Sequence, residues 1–147
     1  MSLPRVFTRF PARRLAAVPV VGVAVVALAA CDRPTPSVSL QSGKTYVTTS
    51  ATQYVRGGQV TKHSPPIPRI TVVPGGIIAV DVAPSVASHG YYLSVGGQRI
   101  TDTIKKDHYR LEVGNTNGQA QIVLFQAPKS GSTNASGSWV FNLTVAP

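Results

Sequence analysis

Trp139-Val140-Phe141-Asn142-Leu143-Thr144-Val145 alternates large apolar side chains with polar or smaller ones. Successive side chains of a strand point to opposite faces, so Trp139, Phe141, Leu143 and Val145 share one face of an extended segment. Burying such a face stabilises by roughly 1.5–3 kcal/mol per large side chain. The segment is therefore predicted to be a core strand. Tyr109, Leu111 and Val113 alternate against Arg110 and Glu112 in the same way.

Working outward, the same short, β-branched or aromatic runs recur at 37–41, 45–49, 53–56, 67–72, 77–82, 90–95, 98–101 and 120–126. Between them stand turn-forming groups such as Ser42-Gly43, Gly57-Gly58, Pro74-Gly75-Gly76 and Asn115-Thr116-Asn117-Gly118. Gly96-Gly97 between two strands reads as a two-residue hairpin. No helical periodicity is visible after residue 37, and glycine and proline recur too often for long helices. Many short strands at close spacing predict an all-β domain, a single immunoglobulin-like β-sandwich over 37–147. Lys129 to Gly137 is a low-complexity stretch predicted to be an exposed loop.

The first thirty residues read differently. Arg5, Arg9, Arg13 and Arg14 precede an uncharged run from Leu15 to Ala30 rich in Ala, Val and Leu. A basic region followed by an apolar one is the layout of an export signal, and the run falls short of the ~20 residues that a spanning helix needs. It ends in Leu28-Ala29-Ala30-Cys31, a complete lipobox: Leu28, Ala29 and Ala30 for the signal peptidase, Cys31 as the acylated residue. The expected organisation is a signal helix at 1–30, the lipidated Cys31 with a polar, proline-containing tether at 31–36, and the sandwich at 37–147. Such a protein sits on the outer face of the cell membrane, anchored by lipid on Cys31. Arg13-Arg14 also leaves twin-arginine export open beside the general route.

Composition narrows the function. An apolar fraction of 43% suits a folded chain. The formal charge of +9 belongs partly to the leader: four of the fourteen Lys and Arg precede Leu15 whereas all five acids follow Cys31, so +5 remains after Cys31. These charges are scattered along the sequence, Lys105-Lys106 being the only adjacent pair, and no basic stripe interleaved with aromatics points to nucleic acid. With one Cys there is no intrachain disulfide and no Cys-based zinc site. A blue-copper centre is excluded as well, since the only Met is Met1 and no His follows His108. His63, His89 and His108 could form a metal site only if the fold gathered them.

Hydrolytic chemistry finds no Gly-x-Ser-x-Gly elbow. Asp102 and Asp107 flank Lys105-Lys106 as a charged loop, and Glu112, the sole glutamate, alternates outward. No glycine-rich turn opens a helix to cradle phosphate. Asn134-Ala135-Ser136 and Asn142-Leu143-Thr144 match glycosylation sequons without consequence for a bacterial lipoprotein. Among the tyrosines, Tyr91-Tyr92 stand out, because adjacent residues on one strand face opposite sides and can offer a partner surface.

Several further stretches carry a resemblance. Thr52-Gln53-Tyr54, Ile70-Thr71-Val72-Val73-Pro74-Gly75, Ala79-Val80-Asp81-Val82-Ala83-Pro84, Val86-Ala87, Asp107-His108-Tyr109-Arg110-Leu111 and Gly137-Ser138-Trp139-Val140 follow one another in an order that resembles an actinobacterial lipoprotein family of unknown function. The likeness covers most of 37–147 and implies an exported β-rich domain with no assigned activity. Two departures stand out. Val55 occupies the place where that family often has a Cys after its Gln-Tyr pair, so its disulfide staple is missing here. Tyr91-Tyr92 stand where it tends to have Trp. The expected role is a non-catalytic binding module for an envelope protein, wall polymer or other ligand, with a structural or assembly accessory as the alternative, and a metal-binding or hydrolytic protein after both. No cofactor is expected.

Overall fold

The computed structural model describes residues 34–115 and 117–147, and the terminal alternation is fully realised in it: Trp139, Phe141, Leu143 and Val145 are all buried. Among the described residues eleven strands and one short helix follow in order: β1 (Ser37–Ser42), β2 (Thr45–Ser50), β3 (Gln53–Arg56), β4 (Gln59–Lys62), β5 (Arg69–Val72), β6 (Ile77–Val82), α1 (Pro84–His89), β7 (Tyr91–Val95), β8 (Gln98–Arg99), β9 (His108–Glu112), β10 (Gly118–Gln126) and β11 (Gly137–Val145). The all-β expectation holds, and the strands form a two-layer sandwich.

The first sheet runs β2-β1-β6-β9 and the second β4-β3-β11-β10-β7-β8. β11 is bordered by β10 along its whole length. On its other edge β3 pairs with Gly137 and Ser138, and β5 lies parallel to Asn142 through Val145. Each sheet turns one face inward by the period-two rule. Val38, Leu40, Ile78, Val80 and Val82 come from the first, and Ile70, Tyr91, Leu93, Ile122, Leu124 and the β11 residues from the second.

The expected hairpin at Gly96-Gly97 joins β7 to β8. Two elements depart from the sequence reading. β4 is fully exposed, so it shows no apolar alternation; it pairs with β3 across Gly57-Gly58, whose φ of 57° and 82° suit glycine. Helix α1 is one and a half turns long, too short for a periodic signal. Pro84 opens it where a missing N–H costs nothing, and Val86 and Ala87 bury its inner side. The stretch expected as a loop at Lys129 to Gly137 is exposed only in part. Ser136 is buried and Gly137 already belongs to β11.

The end of the segment expected as a polar tether is hydrogen-bonded to the domain. The Trp139 indole N–H donates to the Pro36 carbonyl at 2.8 Å, and Arg56 donates to the Pro34 carbonyl at 3.4 Å. Burying an indole is favourable only when its N–H finds an acceptor, and the proline stretch supplies one.

Tyr91 corrects one expectation. Expected with Tyr92 to offer a partner surface, it is instead fully buried, because the side chains at odd positions of β7 face the core. Its hydroxyl has no hydrogen-bond partner among the described residues. Burial, and then the charges of Asp107 and Asp81, push its ionisation up to about 12 from 10.0. The folded state thus holds the phenolic proton more tightly than the unfolded one. Its contribution is complete below pH 10 and lost as pH rises through 12, by at most about 3 kcal/mol. Tyr91→Phe removes an orphaned polar atom, and should leave neutral-pH stability unchanged or raise it by about 1 kcal/mol. Urea denaturation of both proteins at neutral and strongly alkaline pH checks this. An alkaline loss as steep in the variant as in the wild type would show that another group titrates.

Candidate functional site

Sheet alternation that buries Trp139 and Phe141 also decides what the second sheet shows outward. β11 presents Ser138, Val140, Asn142 and Thr144, β10 presents Gln119, Gln121, Val123 and Phe125, and β7 presents Tyr92. Register lines up Tyr92, Phe125, Ser138, Gln53 and Lys62 in one row across five strands. With strands ~4.8 Å apart, Phe125 and Gln53 stand ~10 Å apart over the short Ser138.

Tall side chains flanking a short one leave a trough. Phe125 forms one wall, and Val55 and Val60 of the β3–β4 hairpin form the other. Ser132 and Asn134 of the β10–β11 loop close one end. The open volume is about 690 Å³. On the inner face of β11 Gly137 has a steric reason to be glycine: a Cβ there would meet the buried Trp139 ring at 2.8 Å.

The trough is held firmly. Phe125 stacks on Tyr92 with centroids 5.4 Å apart and planes at 26°, and the Arg99 guanidinium lies 4.3 Å from the Tyr92 centroid. Arg99 is itself fixed by donating to the Thr101 carbonyl at 2.8 Å and to Thr103 Oγ1 at 3.2 Å. At the closed end Val55 N–H donates to the Ser136 carbonyl at 2.7 Å, and Ser136 N–H to the Gln126 carbonyl at 3.1 Å. Thr52 Oγ1 and Ser138 Oγ share a hydrogen bond of 2.8 Å. A second, shallower depression on the same face is lined by Arg69, Gln119, Asn142 and Thr144. From Ser138 to Thr144 the exposed side of β11 spans ~20 Å at ~3.3 Å per residue.

Acids are absent from the strands of the second sheet. That sheet carries Lys62, Arg69 and Arg99 on its outer face and Arg56 on the Tyr54 side of β3, with Lys129 in its β10–β11 loop. Asp81 and Glu112 lie on the first sheet, and Asp102 and Asp107 in the β8–β9 connection. Basic residues occur on both layers, with Lys44 in the β1–β2 turn, Arg110 on β9 and Lys105-Lys106 in the β8–β9 connection, but the second sheet carries them without acids on its strands, and such a face attracts anions.

Other expected site residues are distributed elsewhere. His63 lies between β4 and β5, His89 ends α1 with Nδ1 3.0 Å from the Ser85 carbonyl, and His108 sits on β9. The fold does not bring them together, and among the described residues no three His, Cys, Asp or Glu side chains are grouped for a metal ion. His108 instead pairs across strands with Asp81 at 2.7 Å, both side chains half exposed. The sequence reading missed this pair, although alternation points both residues outward. Beside it, Tyr46 donates to Ser39 Oγ at 2.8 Å, and Ser39 Oγ lies 2.8 Å from Thr48 Oγ1. Those hydrogen bonds, Ser39's first, hold the Tyr46 phenol below its ordinary value. No described nucleophile is hydrogen-bonded to the His108 ring, so the pair has no hydroxyl to activate.

Tyr92 remains on the outward face that was expected of it, half-buried under Arg99 and against Phe125. Leu28, Ala29, Ala30 and Cys31 lie outside the described residues. No helix among the described residues is long and apolar enough to cross a membrane. Compared with protein-family models, curated proteins and solved structures, the chain matches none.

Proposed function

We propose that this chain is a lipid-anchored cell-envelope protein, acylated at Cys31, whose immunoglobulin-like sandwich acts as a non-catalytic binding module through the outer face of its second sheet. The anchor rests on the lipobox and on the lack of any other use for the single cysteine. The immunoglobulin-like reading is supported by strand order. β6 and β9 correspond to strands B and E, and β7, β8, β10 and β11 to C, C′, F and G; β5, parallel to the last strand, takes the place of A′. β1 to β4 are then an N-terminal elaboration, and its second hairpin supplies a wall of the trough.

The observation that carries the binding reading is the trough itself: a pre-formed concavity with an apolar wall, convergent amides and hydroxyls, and a braced aromatic ring. A photoreactive residue placed at Val60, on the trough, and separately at Ala79, on the outer face of the first sheet, tests it in the tethered protein in its own membrane. Reproducible adducts at Val60 and none at Ala79 are expected. Adducts at Ala79 alone, or equal at both, would refute the assignment of this face.

A further inference from the structure

We propose that the trough and the strip along β11 bind an anionic glycan, a sugar polymer carrying carboxylate or phosphate groups. This inference rests on the binding-module reading and adds the class of ligand. Three features converge on it. Phe125 offers a ring already held upright by Tyr92 and Arg99, so the apolar face of a sugar ring can pack on it without first ordering the side chain. Around it, Gln53, Ser132, Asn134 and Ser138 supply neutral donors and acceptors for hydroxyl groups. Lys129 at the trough and Arg69 in the second depression place cations near the two ends of the strip, and no acid from the sheet's strands opposes them.

Charge complementarity decides between occupants. A neutral glycan would leave Lys129 and Arg69 without a partner. Single-stranded nucleic acid would suit the field but needs successive aromatic platforms. Among the described residues Phe125 is the one aromatic side chain lining the trough, since Tyr92 is covered by Arg99 and Phe125, and the rest of the strip shows Val140, Asn142, Thr144, Gln119 and Gln121. An extended polymer of hydroxyls with intermittent negative charge matches a strip of amides and hydroxyls with a cation towards each end.

The test uses the full chain in detergent micelles, with size-defined oligogalacturonate and a phosphomannan as the carboxylate and phosphate probes. A neutral maltooligosaccharide and oligothymidylate serve as comparisons. At least one anionic glycan should bind roughly tenfold tighter than either comparison, with affinity falling as salt rises. Phe125→Ala should weaken that binding roughly tenfold. Lys129→Gln, in an exposed loop, should weaken it roughly threefold and flatten the salt dependence, while Arg110→Gln on the first sheet changes nothing. Lys129→Gln keeps the test decisive should Phe125→Ala fold poorly. Oligothymidylate binding as tightly as the glycans, or full affinity in Lys129→Gln, overturns the proposal. Neutral glycan binding equally well, yet lost in Phe125→Ala, overturns the charge argument alone and leaves the module reading standing. Adducts at Ala79 in place of Val60 remove that reading itself.

Discussion

Trp139→Ala should cost the sandwich about 3–5 kcal/mol, a third or more of the stability of a typical domain of this size. The indole is fully buried, meets Tyr54 edge-to-face with centroids 6.2 Å apart at 65°, and fills the space over Gly137 that a side chain there would occupy. Removing it opens a cavity walled by two sheets, which paired strands can close only by breaking register. It also strands the Pro36 carbonyl, which accepts the indole N–H at 2.8 Å. Trp139→Phe separates the two effects: most of the volume stays while the hydrogen bond is lost, at an expected cost of about 1–2 kcal/mol. Because this is the only tryptophan, its fluorescence vanishes in both variants, and urea denaturation must be followed by far-UV circular dichroism. A cost below about 1 kcal/mol for the alanine variant would mean that β11 is not the centre of the core.

What could be read from the sequence, and what could not, follows from one physical distinction. A strand with one buried face announces itself, because water and core demand alternate residues; β9, β10 and β11 are legible for that reason. β4 has four exposed side chains and α1 fewer than two turns, so neither leaves a period to find. Register is invisible altogether. Gln53, Phe125 and Ser138 come from three separate stretches, and nothing local to any of them says that they share a row. The trough depends on that row. Tyr91-Tyr92 shows the boundary well. Adjacency says that the two rings part company, and only the position of β7 in its sheet says that Tyr91 goes inward and Tyr92 outward. The tie between Pro36 and Trp139 joins residues about a hundred positions apart, and was equally beyond a local reading.

Cys31→Ser should abolish palmitate labelling and take the protein out of the acylated membrane fraction. The thiol has no second cysteine to pair with, and a copper site lacks its Met and its late His. A single acyl chain gives only marginal membrane binding, whereas two or more, at ~0.8 kcal/mol per buried CH₂, hold a domain stably. Serine preserves the size of the side chain but not the thioether that carries the lipid, so label retained on the variant would refute acylation at Cys31. The same variant separates place from function. The trough is built from residues of β3, β4, β10, β11 and the β10–β11 loop. Oligogalacturonate or phosphomannan affinity measured on the Cys31→Ser chain should therefore equal that of the wild type within about twofold, a difference of ~0.4 kcal/mol. A variant that loses label and keeps affinity supports an anchor and a binding face that act independently. Loss of both together would mean that the lipidated terminus takes part in the binding face, and the site would have to be redrawn to include it.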